Sequence, residues 1–206
     1  MNAQKVNLYI SQPRFNRYFT GTNGDFHRAV KLYKANLEIA ASFHPVLGIL
    51  EVSLRNGINQ ILDNYFNDAD WITNQKTGFM SHPTLRNDFL KSSVEKAEIQ
   101  LQRLQIQPTA GKLIAEQSFG FWTALYETSH YSLLQGRPIQ VFQHLPRNHG
   151  RREVANALTK IRAFRNRINH NEPICFNGGT IDFTAVEDVY QSVTHILDWI
   201  DKDLAV

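Results

Sequence analysis

At 206 residues, with 42% apolar and 20% charged side chains, the chain is long enough for one well-buried domain and too apolar for intrinsic disorder. It has no run of eighteen apolar residues, no secretory pattern at its start, and a single cysteine, Cys175. These features argue against a signal peptide, a membrane span, a disulfide framework and a structural metal. The expectation is one domain over 1–206, with 1–24 as an N-terminal extension, working in the cytoplasm without a membrane, a metal or a cofactor. A net charge of +3 says little by itself, but its distribution says more. Arg147, Arg151, Arg152, Lys160, Arg162, Arg165 and Arg167 face only Glu153 in one stretch, whereas Asp182 to Asp203 is mostly acidic.

Taken in chain order, Phe26, Val30, Leu32, Tyr33, Leu37 and Ile39 recur near the helical period, and Asp25 follows a Gly-Thr-Asn-Gly turn as an N-cap. This predicts a helix over 25–43. His44-Pro45 is expected to break it, with Pro45 opening a second helix to about Phe66 whose face carries Leu47, Leu50, Leu54, Ile58, Ile61 and Leu62. A polar connection runs to Met80. Pro83 is then expected to open a helix reaching about Leu104, and Pro108 a further one. The segment from Gly111 to Leu134 reads as core around Phe119, Phe121, Trp122 and Leu125, and a short helix is expected around Val141 and Phe142. The long basic helix follows with Val154, Ala157, Leu158, Ile161, Phe164 and Ile168 inward. Asn169, Asn171 and Pro173 end it, because Asn tolerates the left-handed cap and the residue before Pro leaves the helical region. A last helix starts near Thr184, with Glu187 completing a capping box. No strand is expected, so the fold class is all-α.

Chemistry concentrates in Ile161-Arg162-Ala163-Phe164-Arg165-Asn166-Arg167-Ile168-Asn169-His170-Asn171-Glu172-Pro173-Ile174. On a continuous helix Arg165 and His170 would point roughly 140° apart, so their convergence is expected only if the helix stops between them. A histidine titrates near cell pH, and a guanidinium forks onto phosphate oxygens. In RNA the neighbouring 2′-hydroxyl is the nucleophile, so proton transfer and charge stabilisation suffice and no activated Ser, Cys or metal is needed. One histidine per chain serves as acid or base. A symmetric dimer with two facing motifs would supply both roles.

Three stretches carry a resemblance: Leu50-Glu51-Val52-Ser53-Leu54-Arg55-Asn56-Gly57-Ile58, Phe119-Gly120-Phe121-Trp122, and Arg162 to Ile174 with its Arg165-x4-His170 spacing. Together they resemble the Abi-like (AbiD/AbiF) abortive-infection proteins of the HEPN superfamily over about Leu32 to Ile174. The resemblance implies an all-α HEPN-type helical bundle with additional helices. It also implies a metal-independent endoribonuclease of a defence or toxin-antitoxin system, with RNA as substrate and a small RNA or protein antitoxin as partner. Carried over by position, Arg165, Asn166 and His170 are the expected catalytic residues, and Glu51, Arg55 and Asn56 match a second motif. Glu51 and Arg55 share a helix face and could pair, as a packing ion pair or as part of the site. Arg151, Arg152, Lys160, Arg162 and Arg167 are the expected RNA-binding cations.

Plainer readings stand beside these. Cations at a helix C-terminus also favour its dipole, and the module could bind RNA or a protein without cutting. The aromatics at 119–122 read as core, not base platforms. His44, His82, His130, His144, His149 and His195 lack metal spacing and read as surface or capping residues, and Cys175 as a small inert one.

Overall fold

The computed structural model describes residues 3–204, in which ten α-helices and one two-residue strand pair make an all-α protein. The chain divides into two compact units: Met1–Leu47 with Ala163–Ser192, and Gly48–Arg162 with Val193–Val206. Three helices run through both, namely α3 (Phe26–Phe66), α9 (Arg151–Asn169) and α10 (Thr184–Ile200).

The first unit opens with two helices that the sequence reading left unassigned, α1 (Ala3–Tyr9) and α2 (Gln12–Gly21). Phe15 and Tyr18, three apart on α2, bury one face beside Val6, Ala29, Cys175 and Phe176. Their rings pack edge-on or tilted: Phe15 on Phe26 at 5.6 Å, Tyr18 on Tyr33 at 5.3 Å and Tyr18 on Phe176 at 5.5 Å between centroids. Such pairs contribute about 0.5–1.5 kcal/mol each beyond area burial. The approach is close, since a Cβ on Gly21 would lie 2.6 Å from the Phe176 ring. The Asp25 cap forms as expected, its carboxylate accepting the Arg28 N–H at 3.0 Å.

Pro45 does not break the helix. One helix continues from Phe26 to Phe66 with Pro45 inside it, and the carbonyl that loses its partner belongs to Ala41, on the exposed side with His44 and Pro45. Water can satisfy it there, so the penalty of an interior proline is softened. By length and composition α3 meets what a membrane-crossing helix requires, while Ala40, Phe43, Leu47, Leu50, Leu54, Ile58 and Leu62 are buried along one face.

A strand pair also appears where none was expected. Phe176–Asn177 (β1) pairs antiparallel with Thr180–Ile181 (β2), closed by Gly178 at φ 58° and Gly179, residues suited to a tight turn. Helix α10 begins at Thr184 as read, but the Asp182 carboxylate accepts the Thr184 N–H at 2.8 Å. Bonds from the Thr184 side chain and amide hold the Asp182 carboxyl below its usual range.

The second unit contains the rest of α3, then α4 (Trp71–Asn74), α5 (Phe89–Arg103), α6 (Ala110–Glu116), α7 (Phe119–Ala124), α8 (Thr128–Leu133), the first part of α9 and the end of α10. Helix α5 starts at Phe89 and not at Pro83, because a local turn intervenes: His82 Nδ1 lies 2.8 Å from the Thr84 hydroxyl and Asn87 Oδ1 accepts the Phe89 N–H at 3.2 Å. Around Val141 the chain forms a 3-10 turn over Arg137–Val141. Phe119, Phe121, Trp122, Leu125 and Tyr126 are buried as core. Of the two roles expected of His130, surface or capping, the fold gives it the second, since the Ala124 carbonyl that it meets is the last of α7. His130 is 3% exposed, and its Nδ1–H donates to the Ala124 carbonyl at 3.0 Å.

Candidate functional site

The sequence motif sits at the end of α9, and its stop is built as the sequence suggested. Asn171 adopts φ 51°, the Glu172 N–H donates to the Arg167 carbonyl at 2.9 Å and the Asn171 N–H to the Ile168 carbonyl at 3.0 Å. These two bonds and the left-handed residue make a Schellman closure.

The stop comes later than the site requires. The His170 N–H still donates to the Asn166 carbonyl at 3.1 Å, so the ladder continues through His170 and reverses only at Asn171. The backbone therefore leaves Arg165 and His170 roughly 140° apart and does not fold His170 back on the turn of Arg165, as had been expected. Arg165 is partly buried, whereas Asn166, Asn169, His170, Asn171 and Glu172 are exposed.

The segment after the motif is clamped by a residue that sequence reasoning missed. Asn36 on α3 is fully buried. Its Oδ1 accepts the Ile174 N–H at 2.7 Å and its Nδ2 donates to the Glu172 carbonyl at 3.4 Å. Its signal was present in the sequence, because Asn36 falls in the stripe Ala29, Tyr33, Asn36, Ala40, Phe43, Leu47, where every other member is apolar. A polar residue in that register requires a buried partner.

Arg167, expected to bind RNA, serves this same turn. Its guanidinium donates to the Pro173 carbonyl and stands 3.6 Å from the Glu172 carboxylate. From α2, Arg14 donates to the His170 carbonyl at 3.4 Å, and Arg17 donates to the Gly178 carbonyl at 3.1 Å with its cation 5.0 Å from the Phe176 ring centre. Cys175 beneath them is fully buried, and burial pushes its thiol up to about 11, which fits the inert role read from sequence.

The other expected residues lie in the second unit. Arg55 is partly buried and its Nε donates to Asn56 Oδ1 at 3.5 Å, while Glu51 is partly buried and Asn56 exposed. Arg151 donates to the Tyr126 carbonyl at 2.9 Å and stands over the Tyr131 ring at 5.9 Å. Arg162 donates to the Thr123 hydroxyl at 3.3 Å. Arg152 pairs with Glu153 at 3.0 Å, and Lys160 is exposed. Among the described residues no group of three His, Cys, Asp or Glu side chains gathers as metal ligands would.

No family model, curated protein or solved structure matches this chain.

Proposed function

We propose that this protein is a metal-independent endoribonuclease of the HEPN type, acting as a homodimer in a cytoplasmic abortive-infection or toxin-antitoxin system held in check by a small RNA or protein antitoxin. The observation that carries this reading is the exposed His170, fixed at the end of a basic helix by a Schellman turn with Arg165 and Asn166 one turn before it. Support comes also from the likeness of the three stretches above to Abi-like proteins.

In this reading a neutral His170 takes the proton of a ribose 2′-hydroxyl. The 2′-oxygen attacks phosphorus, the bond to the 5′-oxygen breaks, and the His170 of a second copy in its imidazolium form returns a proton to that oxygen. Arg165 stabilises charge on the phosphoryl oxygens, and Asn166 positions the strand. Because the backbone sets Arg165 and His170 apart on one helix, a second copy would supply the facing group, which gives the dimer a chemical purpose. Glu51, Arg55 and Asn56 form the second motif of this reading.

A second reading, RNA binding without cleavage, draws on the wide angle between Arg165 and His170, which keeps the two side chains of one chain from meeting at one phosphate. Purified wild type and His170→Ala, incubated with a mixed single-stranded RNA, separate the two. The ribonuclease reading expects cleavage by wild type, lost by at least about 100-fold in the variant as for a general acid-base group, with RNA binding retained. Binding by both and cleavage by neither favours the binding module.

A further inference from the structure

Helix α2 lies outside the stretch that carries the family resemblance, yet it brings one cation, Arg14, to the motif's turn and a second, Arg17, to the β1–β2 turn after it. Phe15 and Tyr18 point into the core, so the residues that precede them, Arg14 and Arg17, share the adjoining face of the same helix. That face is held against the segment following the motif by the ring of Phe176 under Tyr18 and Gly21. Arg17 is occupied there, with its bond to the Gly178 carbonyl and its place over Phe176. Arg14 differs. It is exposed, and its one hydrogen bond among the described residues is the long 3.4 Å contact to the His170 carbonyl. A guanidinium carries five N–H donors in a planar fork, so most of this fork faces solvent beside the residue proposed to move protons.

Building on the ribonuclease reading, we propose that Arg14 is a phosphate-binding residue of the RNA site, gripping the strand at the phosphate next to the one that His170 addresses. The arrangement suits the task. The carbonyl of His170 orients the fork without neutralising it, since a carbonyl bears no net charge, whereas Arg167 beside it is paired with Glu172. An arginine bound to a neutral oxygen keeps its full charge for a phosphate and presents two parallel donors to it. Arg17, three residues on, extends the same cationic edge towards the β1–β2 turn. Helix α2 thereby belongs to the site.

The test is equilibrium binding of a labelled single-stranded 2′-O-methyl RNA, which lacks the attacking hydroxyl and cannot be cut, across a salt series, by full-length wild type, Arg14→Ala and Arg14→Lys. Arg14→Ala is expected to weaken binding roughly 5-fold to 10-fold and to flatten the slope of log affinity against log salt by about 0.7, the loss of one phosphate contact on a single strand. Arg14→Lys restores the slope. Wild-type affinity and slope in Arg14→Ala overturn this proposal alone. Weaker binding with an unchanged slope overturns it too, because that pattern marks a structural effect. Wild type that fails to bind RNA overturns the ribonuclease reading and this one with it. A melting comparison of Arg14→Ala with wild type shows that both are folded.

Discussion

The two ends of α9 are built from the same residue types and use them differently. From its N-terminal end as far as Arg162 the cations hold structure together: Arg151 serves the Tyr126 carbonyl, Arg152 the Glu153 carboxylate, and Arg162 the Thr123 hydroxyl. Glu153 also accepts the Gly150 N–H at 2.9 Å, the reciprocal half of a capping box. Those bonds from the amides and from Arg152 hold its carboxyl below the usual carboxylate range. At the C-terminal end Arg167 is likewise engaged, by the Pro173 carbonyl and the Glu172 carboxylate, but the polar side chains of Asn166, Asn169, His170 and Asn171 are exposed, and the backbone bonds are closed by the Schellman turn, with the following segment held by Asn36. Charge density marks where cations lie. Whether a cation is available to a ligand depends on which acceptors the fold brings to it, and those come from distant positions in the chain.

The largest effect that could break this contrast belongs to the clamp. Asn36→Leu leaves the Ile174 N–H and the Glu172 carbonyl without their partner, and an unsatisfied buried group costs about 1–3 kcal/mol. Urea unfolding should show a loss of about 2–4 kcal/mol, and a loss below about 1 kcal/mol would mean that the post-motif turn is held otherwise. A smaller effect tests the second unit, which holds the N-terminal part of α9. Burial holds His130 neutral, with its pKa below the ordinary value. The unfolded chain binds a proton near pH 6.5 that the folded chain resists. The contribution of His130 to stability is therefore complete above that pH and is lost as pH falls from about 6.5 towards the lower folded value. Unfolding midpoints compared at pH 7.5 and 5.5 should fall more steeply for wild type than for His130→Gln; equal slopes would contradict the buried neutral ring. The smallest effect concerns Arg162. Arg162→Ala should cost about 1 kcal/mol through the lost bond to Thr123 and leave RNA affinity within about twofold, because a partly buried, engaged guanidinium offers little to a phosphate. A tenfold loss of affinity would return Arg162 to the RNA-binding set.

Local rules explain what could be read from the sequence. Asp25, Asn171 and the aromatic core at 119–126 were legible because caps, left-handed residues and helical periodicity act over a few positions. Pro45 was misread because solvent exposure of the Ala41 carbonyl, a tertiary property, decides whether proline breaks a helix. Pro83 misled for a related reason, since the His82, Thr84 and Asn87 side chains compete for the backbone before α5 can begin. Helices α1 and α2 escaped because α2 is anchored by Phe176, more than 150 positions away. At the site, the ending of α9 was legible and only its exact residue, set by the local bond from the His170 N–H to the Asn166 carbonyl, was not, whereas the clamp by Asn36 and the approach of Arg14 depend on bonds spanning well over a hundred residues.

The termini of the RNA products report most directly how a phosphodiester is cut. Wild-type protein incubated with single-stranded RNA and excess chelator should leave 2′,3′-cyclic phosphate and 5′-hydroxyl ends, the products of 2′-hydroxyl attack. Products ending in 5′-phosphate and 3′-hydroxyl, or cleavage that stops when chelator is added, would contradict a mechanism resting on Arg165 and His170 alone.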